Sequence, residues 1–210
     1  MSMRILADFG QSVELHQKIL ISPEESKHVL QVMRCKIGDP IELIDTQKHL
    51  IWTAVIQNQK APLEILITGQ KQKPFFKPID YSLDVAITKQ DSMEWVIEKA
   101  VELGCAQLQP IFSQHTVIKT SSQKDELFFQ HRWQKIADQA LKQCERTHRL
   151  TILTPVRFQT YIESLLRHSS PLFWCDETAD VKITLMEVLQ KQPLEPFSHF
   201  LIGPEGGFSD

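Results

Sequence analysis

The sequence predicts a two-domain α+β chain, a small all-β unit at residues 1–72 followed by an α/β unit at residues 78–210 built on a mainly parallel sheet. Three observations carry this. From Arg4 to Thr68, short runs rich in β-forming residues (KILIS, PIELID, LIWTAVI, LEILIT) are separated by turn-like pieces such as Gly38-Asp39-Pro40, the look of a small barrel or sandwich. After Asp80 the rhythm changes to strand and helix in alternation, the pattern of a layered α/β fold. Between them lies GQKQKPFFKP, Gly69 to Pro78, whose prolines, lysines and phenylalanines follow neither a strand nor a helix period.

In the second unit YSLDVAIT reads as its first strand. Asp91 follows as a helix N-cap with Glu94 three residues on, and MEWVIEKAVEL presents Val96, Ile97, Ala100, Val101 and Leu103 before Gly104 closes the helix. AQLQPIFS is the next strand. From Lys124 a long helix places Trp133, Ile136, Ala137, Ala140, Leu141 and Cys144 at spacings of three and four, leaving Gln139, Gln143 and Arg146 on another face. LTILTPV and PLFWCDE are further strands, followed by helices in YIESLLRH and VKITLMEVLQK. HFLIG is the last strand, so the GPEGG loop stands at the carboxyl end of a sheet strand, where open α/β sheets hold their ligands.

With 210 residues, 42% hydrophobic and 23% charged, the chain can bury a real core. No apolar run approaches the roughly 20 residues needed to cross a bilayer, and MSMRILADFG lacks the charged-then-apolar order of a signal peptide. A cytoplasmic protein with no membrane partner is therefore expected. Cys35, Cys105, Cys144 and Cys175 have no CxxC spacing and read as reduced core thiols, and the eight histidines show no HExxH-like ligand spacing, so no metal is expected. No GxSxG or Cys/His signature offers a nucleophile.

The net charge of −3 hides an uneven distribution. Residues 1–80 hold ten basic and nine acidic side chains, residues 81–150 nine of each, and residues 151–210 four against eight. A polyanion should meet the first two-thirds of the chain. Lys71, Lys73 and Lys77 in the predicted linker can touch phosphates while Phe75 or Phe76 packs or stacks, or the stretch is a plain solvated linker. Gln143 and Arg146 either belong to an ordinary helix surface or hold an anionic substrate at the helix end QCERTHR. Lys99 and Glu102, at i and i+3, read as a surface ion pair. The terminal loop Gly203-Pro204-Glu205-Gly206-Gly207 lacks the lysine and Ser/Thr of a phosphate loop, and Glu205 repels an anion. Its open backbone suits a ligand with hydroxyls, amines or positive charge, or forms a simple tight turn.

In order, SKHVLQVMRCKIGD, ITKQDSMEWVIEKAVELG, RWQKIADQALKQCER and LIGPEGGFS resemble the ribosomal small-subunit methyltransferase E family, over nearly the whole chain. The resemblance implies a PUA-like RNA-binding β-barrel joined to a SPOUT methyltransferase domain with a trefoil knot, a homodimer, S-adenosylmethionine as cofactor, and methylation at N3 of a uridine in 16S ribosomal RNA within the small ribosomal subunit. Carried onto this sequence, it places His28 and Arg34 in the barrel motif, and Lys89, Lys99, Glu102, Leu103 and Gly104 in the second. Gln143 and Arg146 fall in the third, and Leu201, Ile202, Gly203, Pro204, Glu205, Gly206 and Gly207 form the cofactor loop. Together with the linker lysines Lys71, Lys73 and Lys77 drawn from the charge pattern, the expected RNA-facing set is Arg34, Lys89, Gln143 and Arg146. Arg146 is expected to steady the uracil as N3 loses its proton, and Glu205 to hold the cofactor or accept that proton. Two positions depart from the family pattern: Thr46-Gln47-Lys48 replaces a glycine turn, and His115 stands where arginine is common.

The family continues past GPEGGFS with a segment that completes the knot and the cofactor pocket. The chain is therefore expected to be an incomplete member that folds both domains, lacks a closed knot, binds the cofactor weakly or not at all, and shows no methyl transfer. The competing expectations are a noncatalytic RNA-binding protein and a SPOUT enzyme acting on transfer RNA.

Overall fold

The computed structural model describes residues 3–7, 13–71, 79–114, 116, 122–144, 146–167, 170–175, 184–191 and 197–204. The chain divides into two compact units, Met1–Lys77 with Leu141–His148, and Pro78–Ala140 with Arg149–Asp210.

The first unit is built on β1 (Arg4–Ala7), β2 (Lys18–Leu20), β3 (Pro40–Asp45), β4 (Leu50–Ile56) and β5 (Glu64–Lys71), in the sheet order β1-β3-β4-β5-β2. All four β-rich runs of the sequence are strands, and Arg4–Ala7 adds a fifth, parallel to β3. The sheet bends where Thr53 pairs with Gly69 and Ala54 with Ile67, leaving Thr68 as the extra residue of a bulge. A Cβ on Gly69 would stand 2.9 Å from Thr53 Oγ1, so the close approach requires glycine there. Ile5, Val29, Leu43, Ile56, Leu63 and Ile65 are fully buried in its core.

The short helix α1 (Pro23–Lys27) starts with Ser22 Oγ accepting the Glu25 N–H at 3.3 Å and with proline in its first turn. It widens into a π-helical turn, His28–Val32, closed by the Met33 N–H on His28 O at 3.1 Å. Neither turn was visible in the hydrophobic pattern.

Strand β5 runs through Gly69, Gln70 and Lys71, residues that composition assigns to a linker. Pairing with β4 extends it, Ile51 standing opposite Lys71.

The second unit has a sheet of β6 (Ile79–Ala86), β7 (Cys105–Phe112), β8 (Thr151–Ile152), β9 (Val156–Arg157), β10 (Leu172–Cys175) and β11 (Ser198–Ile202). Its order is β10-β11-β6-β7-β8, with β9 also on β7, and every pairing is parallel, as the alternating pattern predicts. The run LTILTPV is two short strands rather than one. The helices are α2 (Gln90–Leu103), α3 (Gln123–Gln143), α4 (Phe158–Leu165) and α5 (Leu185–Lys191).

Helix α2 buries Met93, Ile97, Ala100 and Val101 and ends at Gly104, whose φ of 81° is the left-handed closure glycine allows. Its start corrects the expected cap. Lys89 is the N-cap residue, its carbonyl accepting the Met93 N–H at 3.0 Å, and Asp91 lies inside the first turn. Glu94, assigned to a capping box, instead pairs with Arg132 of α3 at 2.7 Å. Leu103, expected on the apolar face, is exposed. In α3, Trp133, Ala137 and Leu141 are buried at the predicted spacing.

Candidate functional site

The parallel sheet defines where ligand chemistry can be placed. From β6 the chain proceeds through α2 to β7 on one side, while β11 lies on the other side of β6, next to β10. Strands β6 and β11 end side by side, and the crevice outside the carboxyl ends of its strands is where an open α/β sheet holds ligands. In register, Leu201 stands opposite Asp84 and Ile202 opposite Val85. The two chains leave the same edge as Ile87–Lys89 and Gly203–Pro204.

That edge joins several residues singled out from sequence. Leu201 is buried inside the strand end, Ile202 is 40% exposed, and Gly203 and Pro204 are half-buried. Lys89, exposed, opens α2 beside them, and no side chain caps that helix start. Glu205, Gly206 and Gly207 lie outside the described residues, as do Lys73, Lys77 and His115.

The remaining candidates belong to the first unit. Arg34 is exposed and held at φ 54°, a left-handed backbone rare for a side-chain-bearing residue. Gln143 ends α3, and Arg146 follows in the segment 141–148. That segment is fixed within its unit at several points. Arg4 Nη1 donates to Cys144 O at 2.9 Å, Lys142 pairs with Glu25 at 2.5 Å, and the rings of His49 and His148 pack with centroids 3.7 Å apart. Lys71 is engaged: its ammonium pairs with Glu42, which also accepts from Arg4 Nε at 2.8 Å. A lysine so neutralised offers less to a phosphate than its place in a basic run implied. The Lys99–Glu102 pair forms on the surface as expected, at 2.7 Å.

Sequence reasoning missed a buried polar network behind the sheet edge. Asp84 in β6 is fully buried. Its Oδ1 accepts from Ser82 Oγ at 2.5 Å, and its Oδ2 accepts from Tyr161 Oη of α4 at 2.5 Å. His199 Nδ1 of β11 lies 2.6 Å from the same Oδ2, and Gln107 Nε2 donates to Ser82 Oγ at 3.3 Å. Burial first and the Asp84 charge second push the Tyr161 phenol far up, so it remains a donor. The signal in sequence was slight, an acid in the middle of the strand YSLDVAIT and a histidine in the strand HFLIG. Among the described residues no helix is long and apolar enough to cross a membrane, and no three His, Cys, Asp or Glu side chains gather as metal ligands.

Comparison with known proteins adds three findings. The RNA methyltransferase domain family matches residues 76–210, and the RNA methyltransferase PUA domain family matches residues 21–67. Among curated proteins, the chain is 25% identical over 199 residues to a ribosomal RNA small subunit methyltransferase E of Buchnera aphidicola, covering 93% of this chain and 75% of that protein. It is 23% identical to the protein of that name from Bacillus subtilis, covering 95% and 78%. Among solved structures, a ribosomal RNA small subunit methyltransferase E from Neisseria gonorrhoeae bound to S-adenosyl methionine superposes with a TM-score of 0.82 at 21% identity, covering 100% of this chain and 83% of that one. A Legionella pneumophila protein described as a methyltransferase, in complex with S-adenosyl methionine, superposes with a TM-score of 0.81 at 25% identity and the same coverage.

Proposed function

The chain belongs to the RNA methyltransferase family, and we propose that it acts, like relatives named ribosomal RNA small subunit methyltransferase E, on small-subunit ribosomal RNA, placing a methyl group on N3 of a uridine. The observation that carries this reading is the delivery of Lys89 and the Ile202–Pro204 backbone to one carboxyl edge, where β6 and β11 end side by side in the unit matched by the methyltransferase domain. S-adenosylmethionine, when bound, supplies a methyl group made electrophilic by its sulfonium.

The residues fit that cofactor. An exposed Ile202 beside the backbone groups of Gly203 suits a purine that needs both an apolar face and hydrogen bonds. Leu201, Ile202, Gly203 and Pro204, continued by Glu205, Gly206 and Gly207, hold the cofactor. Lys89 and Arg34, with Gln143 and the lysines Lys71, Lys73 and Lys77, follow the RNA backbone.

Uridine N3 must lose its proton before it can attack, because the neutral imide nitrogen has no free lone pair, and Glu205, in the cofactor loop, is assigned to accept it. Arg146 is assigned to the uracil oxygens, where a planar guanidinium stabilises the negative charge as it develops. Alignment of the reacting atoms by the bound RNA supplies a further share of the barrier, ~7–11 kcal/mol in well-aligned cases. A homodimer acting in the cytoplasm belongs to the same reading.

The test is to incubate the protein with small subunits lacking uridine N3 methylation and isotopically labelled S-adenosylmethionine, then to digest the RNA and identify nucleosides by mass spectrometry. Labelled N3-methyluridine in 16S ribosomal RNA is the expected product. RNA binding without transfer marks a noncatalytic RNA-binding protein, and label in transfer RNA alone marks a different substrate; either outcome overturns the reading.

A further inference from the structure

Strand β11 poses a register problem. Phe200, Leu201 and Ile202 are apolar on both faces of the sheet, so hydrophobicity alone does not tell β11 which face to turn toward α4. A slip by one residue against β6 would flip every side chain and displace the Gly203–Pro204 backbone along the crevice by about 3.3 Å. The polar residues do discriminate. Ser82 and Asp84 on β6 pair in register with His199 and Leu201 on β11, which puts His199 on the face of Asp84. A slip would leave Asp84, Ser82 and Tyr161 buried around a missing partner, the situation in which a buried ionic group specifies register.

We propose that the Asp84–His199 bond is a positioning device for the carboxyl-edge site: it sets the register of β11 on β6 and thereby the place of the Ile202–Gly203–Pro204 backbone beside Ile87–Lys89. The inference rests on the reading of that edge as the cofactor site. Tyr161 and Ser82 complete the coordination of Asp84 but do not join the two strands; Tyr161 reaches it from α4 and Ser82 from β6 itself.

Three variants separate this role from plain structural support. His199→Leu removes the donor. His199→Asn keeps a donor near the position of Nδ1. Tyr161→Phe removes a bond to Asp84 of similar length while leaving the strand-to-strand link. Each is measured for thermal stability, for S-adenosylmethionine affinity by calorimetry, and for amide hydrogen exchange at Phe200, Leu201 and Ile202.

His199→Leu should weaken cofactor binding about tenfold or more and speed exchange at those amides by a similar factor. His199→Asn should restore both to within about threefold, and Tyr161→Phe should stay within about threefold even where it lowers the melting temperature as much as His199→Leu. Affinity losses that track melting temperature across all three variants overturn the proposal, as does wild-type exchange in His199→Leu. If the unsubstituted chain binds no S-adenosylmethionine, the cofactor reading fails by itself. The exchange arm still decides the register claim: unchanged protection in His199→Leu refutes it, and loss restored by asparagine supports it.

Discussion

The two units each bury a carboxylate in a strand, and they satisfy it in opposite ways. Glu42 of the first unit lies between two cations, of which the Lys71 side chain is 44% exposed and that of Arg4 13%. Asp84 of the second unit is held by Ser82, Tyr161 and His199, of which the first two are themselves buried. Removing the acid therefore has different consequences. Lys71 can recover hydration at the surface, whereas Ser82 and Tyr161 beside Asp84 would be left dry and unpaired.

The largest effect should follow Asp84→Ala, which is expected to lower unfolding stability by about 3–5 kcal/mol in urea titration. A loss below about 1 kcal/mol would mean that water or local rearrangement satisfies the stranded donors, and the contrast with Glu42 would collapse. Glu42→Ala should cost less, about 1.5–3 kcal/mol, since Lys71 loses a charged hydrogen-bond partner but not its access to solvent. If it proves the costlier of the two, exposure of the partners is not what governs the difference.

An alkaline limb sharpens the comparison. In the second unit burial pushes the Cys105 thiol up to about 11 from 9.0, and burial with the Asp84 charge pushes Tyr161 well above its ordinary 10.0. Both groups hold their protons in the folded chain at pH values where the unfolded chain releases them. Stability is therefore intact below about pH 9 and falls as pH rises above it, first through Cys105 and then through Tyr161, by up to about 1.4 kcal/mol per pH unit for each. Tyr161→Phe should flatten the part of this decline above pH 10, as seen by denaturant titration across pH 8–11. An unchanged slope would place the Tyr161 hydroxyl in contact with water.

The smallest stability effect belongs to Lys71→Ala, about 0–1 kcal/mol, because a half-exposed ion pair is screened. Its RNA counterpart is more informative. Arg34→Ala should reduce the slope of log binding constant against log salt by about 0.7, one phosphate contact on single-stranded RNA. Lys71→Ala should reduce it by less, its charge being already shared with Glu42. Equal changes in slope would show that RNA draws Lys71 away from Glu42.

Particular residues show which features were legible in the sequence. The closing Gly104 and the buried face Trp133–Ala137–Leu141 rest on spacing within one element, which propensity and burial set locally, and the parallel sheet rests on the alternation of strand and helix along the chain. The start of α2 lies at Lys89 rather than Asp91, because the capping-box pattern competes with the place where β6 releases the chain, and Glu94 pairs with Arg132 from 38 residues away. Lys71 looked like linker because composition does not register the partner strand that extends β5. Of the candidate site, the strand-end motif LIGP and Lys89 after the strand YSLDVAIT are legible in the sequence, while the place of Lys89 at the start of α2 and the meeting of the two at one edge depend on the assembled sheet, with β11 paired to β6.

By itself, then, the sequence determined the order and type of most elements, the two-unit division of labour between β and α/β segments, and the motifs that mark the methyltransferase family, since each is written in residues close together along the chain. Only the tertiary structure decided that β11 inserts between β6 and β10, that Glu42 draws in Lys71, and that Asp84 meets a histidine 115 residues away. The physical reason is that a buried charge has no local signature: whether it is paired depends on which distant donors the packed sheet brings within about 3 Å, and that is a property of the assembled layers.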